Sequence, residues 1–232
     1  MSFDAIPFEK IKLVVFDIDG TLYPQFPIRQ KMIIRLLWHS LTHFSFKVGF
    51  LIRDYRRLRE KYGERETQNF EAEIKETLCK KYGFSSAEYD ALILEWFFNK
   101  PLPWLLKIRF PQVSEVFSFL KAQNIHVAVL SDYPAKEKIK VLRLEADHAH
   151  WAGDPEIQTL KPHPKGLQYI MGKAGVTPEE TLMIGDRDDR DGEMARRAGT
   201  YFLLRGKLKE NPKALSSFTH WGHFLNALKK VF

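Results

Sequence analysis

The chain has 232 residues, 44% hydrophobic and 28% charged, with no biased tract, a composition that excludes disordered, collagenous and coiled-coil proteins. One cysteine, Cys79, excludes an internal disulfide framework and a structural zinc cluster of thiolates. The net charge of +7 is uneven: residues 24–110 hold sixteen Lys/Arg against ten Asp/Glu, and 29–61 alone carry an excess of seven. Such an excess serves nucleic acid, a membrane surface or an anionic substrate, or is simply a solvated face.

The first ten residues, MSFDAIPFEK, contain no apolar run of the kind that starts a secretory signal, so a cytoplasmic protein is expected. Residues 11–16 (IKLVVF) then form a continuous apolar run, as in a strand buried on both faces of a parallel sheet. The run ends in Asp17-Ile18-Asp19-Gly20-Thr21. From 24 to 110 no strand signal appears. Amphipathic patterns near 28–61, 66–82 and 86–98 are separated by Gly63 and by Gly83-Phe84-Ser85-Ser86, where Ser85 or Ser86 reads as an N-cap with Glu88 close behind. Pro101-Leu102-Pro103, and again Pro111, close the segment.

Met32–Ile52 has about the length of a membrane span, but Arg35, His39, His43 and Lys47 interrupt it. A charge at mid-bilayer costs about 3 kcal/mol on insertion scales, so a helix packed on protein or lying on a surface fits better.

Beyond 110, apolar runs at 125–130, 181–184 and 200–204 alternate with helical patterns near 112–123, 134–144, 163–174 and 189–198. The alternation predicts βαβ units: an α/β protein with a doubly wound, Rossmann-like parallel sheet and a smaller all-helical cap. Residues 1–23 and 108–232 would form the core, and 24–107 the cap.

Ligands of open parallel sheets bind at the carboxyl ends of strands. The first strand is followed by Asp17, Asp19, Gly20 and Thr21, the second by Ser131 and Asp132, and the 181–184 strand by Gly185-Asp186-Arg187-Asp188-Asp189-Arg190-Asp191. Lys161 stands in Leu160-Lys161-Pro162-His163-Pro164 ahead of a helix. Clustered carboxylates need a hard divalent cation, and all-oxygen ligation suits Mg²⁺ sharing a substrate phosphate. A hydroxyl, a lysine and backbone amides supply the donors that a phosphoryl group requires.

These four elements, in this order, resemble the four motifs of the haloacid dehalogenase superfamily, over about 1–23 and 108–205. The resemblance implies a phosphatase. Asp17 would be the nucleophile that forms an aspartyl-phosphate, and Asp19 the acid and then base for leaving group and water. Mg²⁺ would be held by the Asp17 carboxylate, the Asp19 carbonyl and Asp186. Ser131 and Lys161 would contact the phosphoryl group, with Gly20, Thr21 and the backbone amide of Asp132 also on the substrate side. Asp19 argues against the carbon–halogen hydrolases of the superfamily, which lack this second Asp.

The fourth motif departs from the common spacing, because Arg190 stands four residues after Asp186. Counting back from Gly199 selects Asp191 as the outer acid; Asp188 and Asp189 read as solvated residues opening a helix.

Other candidates read blandly. His163 is loop chemistry, His148 and His150 flank a predicted turn, Cys79 packs, the Asp132 side chain caps the helix at 134–144, and Trp96, Phe97 and Phe98 form cap core. The expected partner is a small phosphate ester, without nucleic acid or a transmembrane segment; a peripheral membrane contact stays open, as does monomer against homodimer. Two alternatives remain: a phosphotransferase or sugar phosphomutase with the same motifs, and a membrane-surface or interaction module using a basic helix at 29–61.

Overall fold

A computed structural model describes residues 6–65, 69–208 and 216–232. Six strands form one sheet: β1 (Leu13–Phe16), β2 (His126–Ser131), β3 (His148–Trp151), β4 (Thr181–Gly185), β5 (Tyr201–Arg205) and β6 (Ser217–Phe218). Their order is β3-β2-β1-β4-β5-β6 and every pairing is parallel.

β1 lies at the centre, fully buried, with Phe16 in register with Val129 of β2 and Ile184 of β4. Alternate residues feed two layers. Val14 and Phe16 pack with Val116, Phe117, Phe224 and Leu228, whereas Leu13 and Val15 pack with Leu167, Ile170, Met183 and Met194. The first layer is built on α6 (Val113–Ala122) and α10 (Trp221–Val231), the second on α8 (Lys165–Ala174) and α9 (Glu193–Ala198). Chain order runs outward from β1 through β2 and β3, then returns to β4 on its other side. The carboxyl ends of β1 and β4 therefore flank the switch point where such sheets bind ligands.

Between β1 and α6 lie α1 (Gln25–Thr42), α2 (Lys47–Arg65), α3 (Phe70–Tyr82), α4 (Ser86–Ile93), which runs on through a wide π turn at Leu94–Asn99, and α5 (Leu102–Ile108). Leu51, Tyr55, Phe70, Ile74 and Leu78 make a separate helical core that also covers Ala152 and Leu160. Ser85 caps α4: its hydroxyl accepts from the Glu88 amide at 3.2 Å while the Glu88 carboxylate accepts from the Ser85 amide at 2.8 Å. Among the described residues no helix is long and apolar enough to cross a membrane.

Several local expectations are corrected. The single helix at 29–61 is two, α1 and α2, joined through Phe44, whose φ of 48° ends helical geometry without a glycine or proline. Pro101 and Pro103 do not end the segment; they open α5, where the first amides have no helical partner to lose. His148 and His150 sit in the edge strand β3, which runs into the turn at 152–153, and His150 Nδ1 lies 2.7 Å from Asp154. The first three residues of the pattern at 66–82 lie outside the described residues.

Candidate active site

The Asp17 amide still donates to the Ile184 carbonyl, at 2.8 Å, so the ladder of the central strand continues through the residue that leaves it. Its buried carboxyl is held on both oxygens. Lys161 Nζ donates to Oδ1 at 2.6 Å and Thr21 Oγ1 donates to Oδ2 at 2.9 Å. The same ammonium donates to Asp191 Oδ1 at 2.7 Å, so one buried lysine bridges the ends of β1 and β4.

Asp186, one residue beyond β4, completes a carboxylate group. One oxygen each of Asp17, Asp186 and Asp191 lies within 4.8 Å of the others. Burial pushes the Asp17 carboxyl up to about 7 against the pull of Lys161, with Asp191 and Asp19 adding repulsion. Burial, then Asp17 and Asp191, push Asp186 up to about 8. Lys161 is held above its ordinary value because Asp17, Asp191 and Asp132 outweigh its burial. A buried, all-oxygen, mutually repelling set is what a hard divalent cation relieves, so these residues fit one.

Two glycines make room for it. Gly20 has φ +104°, and a Cβ there would meet the Asp186 carboxylate; a Cβ on Gly185 would meet the Asp191 carboxyl.

Asp19 lies apart from the other three. It accepts from Tyr23 Oη and Lys138 Nζ, and Ser131 Oγ stands 3.4 Å away. Burial raises its pKa, but Lys138 and then Tyr23 outweigh that and hold it below the usual carboxylate range. Its carbonyl accepts from Gln25 Nε2. Ser131 Oγ also accepts from the Tyr133 amide at 3.1 Å.

Asp132 Oδ1 accepts from the Lys161 amide at 3.1 Å, so its side chain sets the lysine's backbone instead of capping α7 (Lys136–Val141). Asp188 is buried against Arg196 Nη1, at 2.9 Å, and Asp189 pairs with Arg187 at 2.7 Å; the expectation that both are simply solvated is corrected for Asp188. His163 bonds within its own loop, where its Nδ1 accepts from the Lys165 amide at 3.2 Å.

Sequence patterns gave no signal for the residues that join helices to sheet. Buried Arg59 of α2 donates to Tyr55 Oη at 3.0 Å, pairs with Glu71 and reaches the Asp132 carbonyl. Arg190 donates to the Lys161 carbonyl at 3.0 Å and to Glu60 Oε2 at 2.9 Å. Lys138 was likewise missed; only its place one turn into the helix after Ser131-Asp132 hinted at it.

A cavity of about 750 Å³ lies over these groups. Phe26, Ile28, Met32, Trp96, Phe97 and Phe98 are among its apolar lining, with Arg29 and Arg56 among its cations. Trp96 is buried in the helical core while Phe97 and Phe98 pack against it, so this aromatic run is core and cavity wall at once. Half-buried Cys79 packs on the same core and does not line the cavity.

A family model described as haloacid dehalogenase-like hydrolase matches residues 11–199. The chain is 27% identical to a glyceraldehyde 3-phosphate phosphatase of Methanopyrus kandleri over 86% of this chain and 87% of that protein. It is also 27% identical to a phosphoglycolate phosphatase of Mannheimia succiniciproducens, over 76% and 78% respectively. In fold it resembles a 2-haloacid dehalogenase from Pseudomonas syringae (TM-score 0.68, 21% identity, 95% of this chain and 99% of that one). It also resembles a phosphatase from Thermococcus onnurineus (TM-score 0.67, 19% identity, 94% and 98%).

Proposed function

The chain belongs to the haloacid dehalogenase-like hydrolases, and from that membership we propose that it is a Mg²⁺-dependent phosphatase hydrolysing a small phosphomonoester in the cytoplasm through an aspartyl-phosphate on Asp17. The observation that carries this is a carboxyl group whose two oxygens are both pinned, by Lys161 and Thr21, facing a cavity beside two further carboxylates.

Asp17, the Asp19 carbonyl and Asp186 would hold Mg²⁺, with Asp191 orienting from the outer side through Lys161. Bound there, the ion supplies positive charge to the carboxylates and to the phosphoryl oxygens. The Asp17 carboxylate attacks phosphorus, and the pinning supports attack by limiting the orientations its free lone pairs sample. Lys161 Nζ and Ser131 Oγ donate to the non-bridging oxygens.

Asp19 gives its proton to the departing alkoxide, then takes one from the water that attacks the aspartyl-phosphate. Lys138 and Tyr23 favour the ionised form that the second step needs. Protonation for the first step requires the substrate's negative charge to draw Lys138 away. Gly20 and Thr21 close the loop beneath, and the Asp132 side chain fixes the backbone of Lys161.

Arg29 donates to Gln25, and the Arg56 guanidinium lies 5.3 Å from the Phe97 ring centre. Both face the cavity, so a second anionic group on the substrate, such as a carboxylate, would find its partners here.

The test is phosphate release from para-nitrophenyl phosphate, 2-phosphoglycolate and glyceraldehyde 3-phosphate, with Mg²⁺ or chelator, for wild type and Asp17→Asn. Metal-dependent release lost in the variant supports the proposal. Release that survives the substitution contradicts it, and turnover of a hexose phosphate only with its bisphosphate assigns a mutase instead.

A further inference from the structure

The outer face of α1 and the turn that follows it have no place in the site. Ile33, Leu37, Trp38 and Leu41 are all exposed along α1, Trp38 to 71% of its surface. The apolar face continues over the turn to Phe44, 95% exposed, and to Phe50 at the start of α2. At 100° per residue the exposed apolar positions of α1 span an arc of about 140°, adjoining on one edge the side that packs through Met32, Leu36 and Ser40. At about 200 Å² for a whole aromatic side chain, the exposed rings of Trp38, Phe44, Phe46 and Phe50 alone present about 500 Å². That already reaches the size of the largest patch on an ordinary monomer, before the aliphatic residues are added.

Charge decides what covers this face. Residues 24–53 contain no Asp or Glu; Arg29 faces the cavity and Arg53 pairs with Asp54 at 2.8 Å, which leaves Lys31, Arg35 and Lys47 as the cations of this face. Lys31 lies along the border of the apolar arc with its ammonium 4.1 Å from the Trp104 ring centre, and Arg35 flanks the same ring. Arg53 lies over the Phe50 ring at 4.9 Å. A second copy docked by two-fold symmetry would set this face against itself, placing cations near cations without an acid in the segment to separate them. A duplex nucleic acid would match the cations but leave Trp38, Leu41 and Phe44 in water.

An anionic bilayer surface matches both features. Aromatic and aliphatic side chains enter the interface while Lys and Arg stems snorkel to the headgroups. We propose that α1 and the α1–α2 turn form a peripheral docking surface for an anionic lipid membrane. The inference stands apart from the catalytic proposal, although the two places adjoin: Phe26, at the start of α1, is both exposed and part of the cavity wall.

The experiment is co-sedimentation of the full chain with phosphatidylcholine vesicles, with and without phosphatidylserine, at about 0.1 M and about 0.5 M salt. Wild type is expected to pellet at least tenfold more with phosphatidylserine at the lower salt, and to lose most of that at the higher. Trp38→Glu/Phe44→Glu, and separately Arg35→Glu/Lys47→Glu, are expected to reduce pelleting at least tenfold. Thermal midpoint and turnover of para-nitrophenyl phosphate should stay at the wild-type value, because these side chains are exposed and outside the cavity. Wild type that stays in the supernatant overturns the proposal, as does pelleting unchanged in both variants. A concentration-dependent dimer that Trp38→Glu/Phe44→Glu splits, without vesicle binding, overturns it in favour of a second copy.

Discussion

Arg190 stands where the fourth motif would ordinarily place an acid, and its surroundings suggest what it does instead. The side chain is 8% exposed and crosses from the sheet to α2. It donates to the Lys161 carbonyl at 3.0 Å, to the Glu60 carbonyl at 3.1 Å and to Glu60 Oε2 at 2.9 Å. Arg190→Met keeps a similar unbranched stem but donates nothing. Leaving the buried Lys161 carbonyl without that donor costs about 1–3 kcal/mol. The carboxylate of Glu60 is half exposed, so its screened share is at most about 1 kcal/mol.

The substitution should therefore destabilise the protein by about 1–4 kcal/mol, read as a lowered urea midpoint at unchanged slope. Glu60→Gln alone should cost under about 1 kcal/mol, and the double variant should cost less than the sum of the two. Because the contact holds the backbone of Lys161, turnover should also fall. A midpoint within error of wild type would refute the idea that Arg190 fastens the helices to the site.

Four further outcomes follow from the geometry. Gly63→Ala should lower the urea midpoint although alanine is the better helix former by about 1 kcal/mol, because the new Cβ would sit 2.9 Å from the Lys161 carbonyl oxygen and against Arg190. Gly20→Ala should reduce apparent Mg²⁺ affinity in activity titrations at least tenfold, since its Cβ displaces the Asp186 carboxylate. Asp54 is held below the ordinary carboxylate range by hydrogen bonds from Arg53, Lys81 and Tyr82 that outweigh its burial. Its folded pKa lies below its unfolded one, so its stabilisation is present above the unfolded value of about 4 and is lost progressively as pH falls below it; urea midpoints of wild type and Asp54→Asn should differ at pH 6, and the difference should begin to shrink only below about pH 4. Finally, Mg²⁺ should raise the thermal midpoint of wild type and much less that of Asp186→Asn, because a ligand of the native state alone stabilises it.

The central strands were legible because burial on both faces leaves nothing but apolar residues, as in Val14-Val15-Phe16 and Val127–Leu130. Edge strands carry no such mark: β3 reads His-Ala-His-Trp, partly buried throughout, and β6 has two residues. The break between α1 and α2 was hidden because Phe44 adopts a left-handed conformation that its side chain does not advertise. At the site, the residues that follow strands were readable from topology, and the count back from Gly199 singled out Asp191, which lies against Lys161. Lys138, Arg59 and Arg190 were not readable, since each acts across a tertiary contact between segments far apart in sequence.

The most direct test of the account is to mix excess Asp19→Asn enzyme with para-nitrophenyl phosphate and Mg²⁺, then map any adduct by peptide mass. This leaving group needs little protonation, while breakdown of the aspartyl-phosphate still needs the Asp19 base. The account predicts a stoichiometric burst of para-nitrophenol and a phosphoryl group on the peptide containing Asp17, absent when Asp17 is also replaced by Asn. A phosphoryl group on another residue, or a burst that persists without the Asp17 carboxylate, would contradict it.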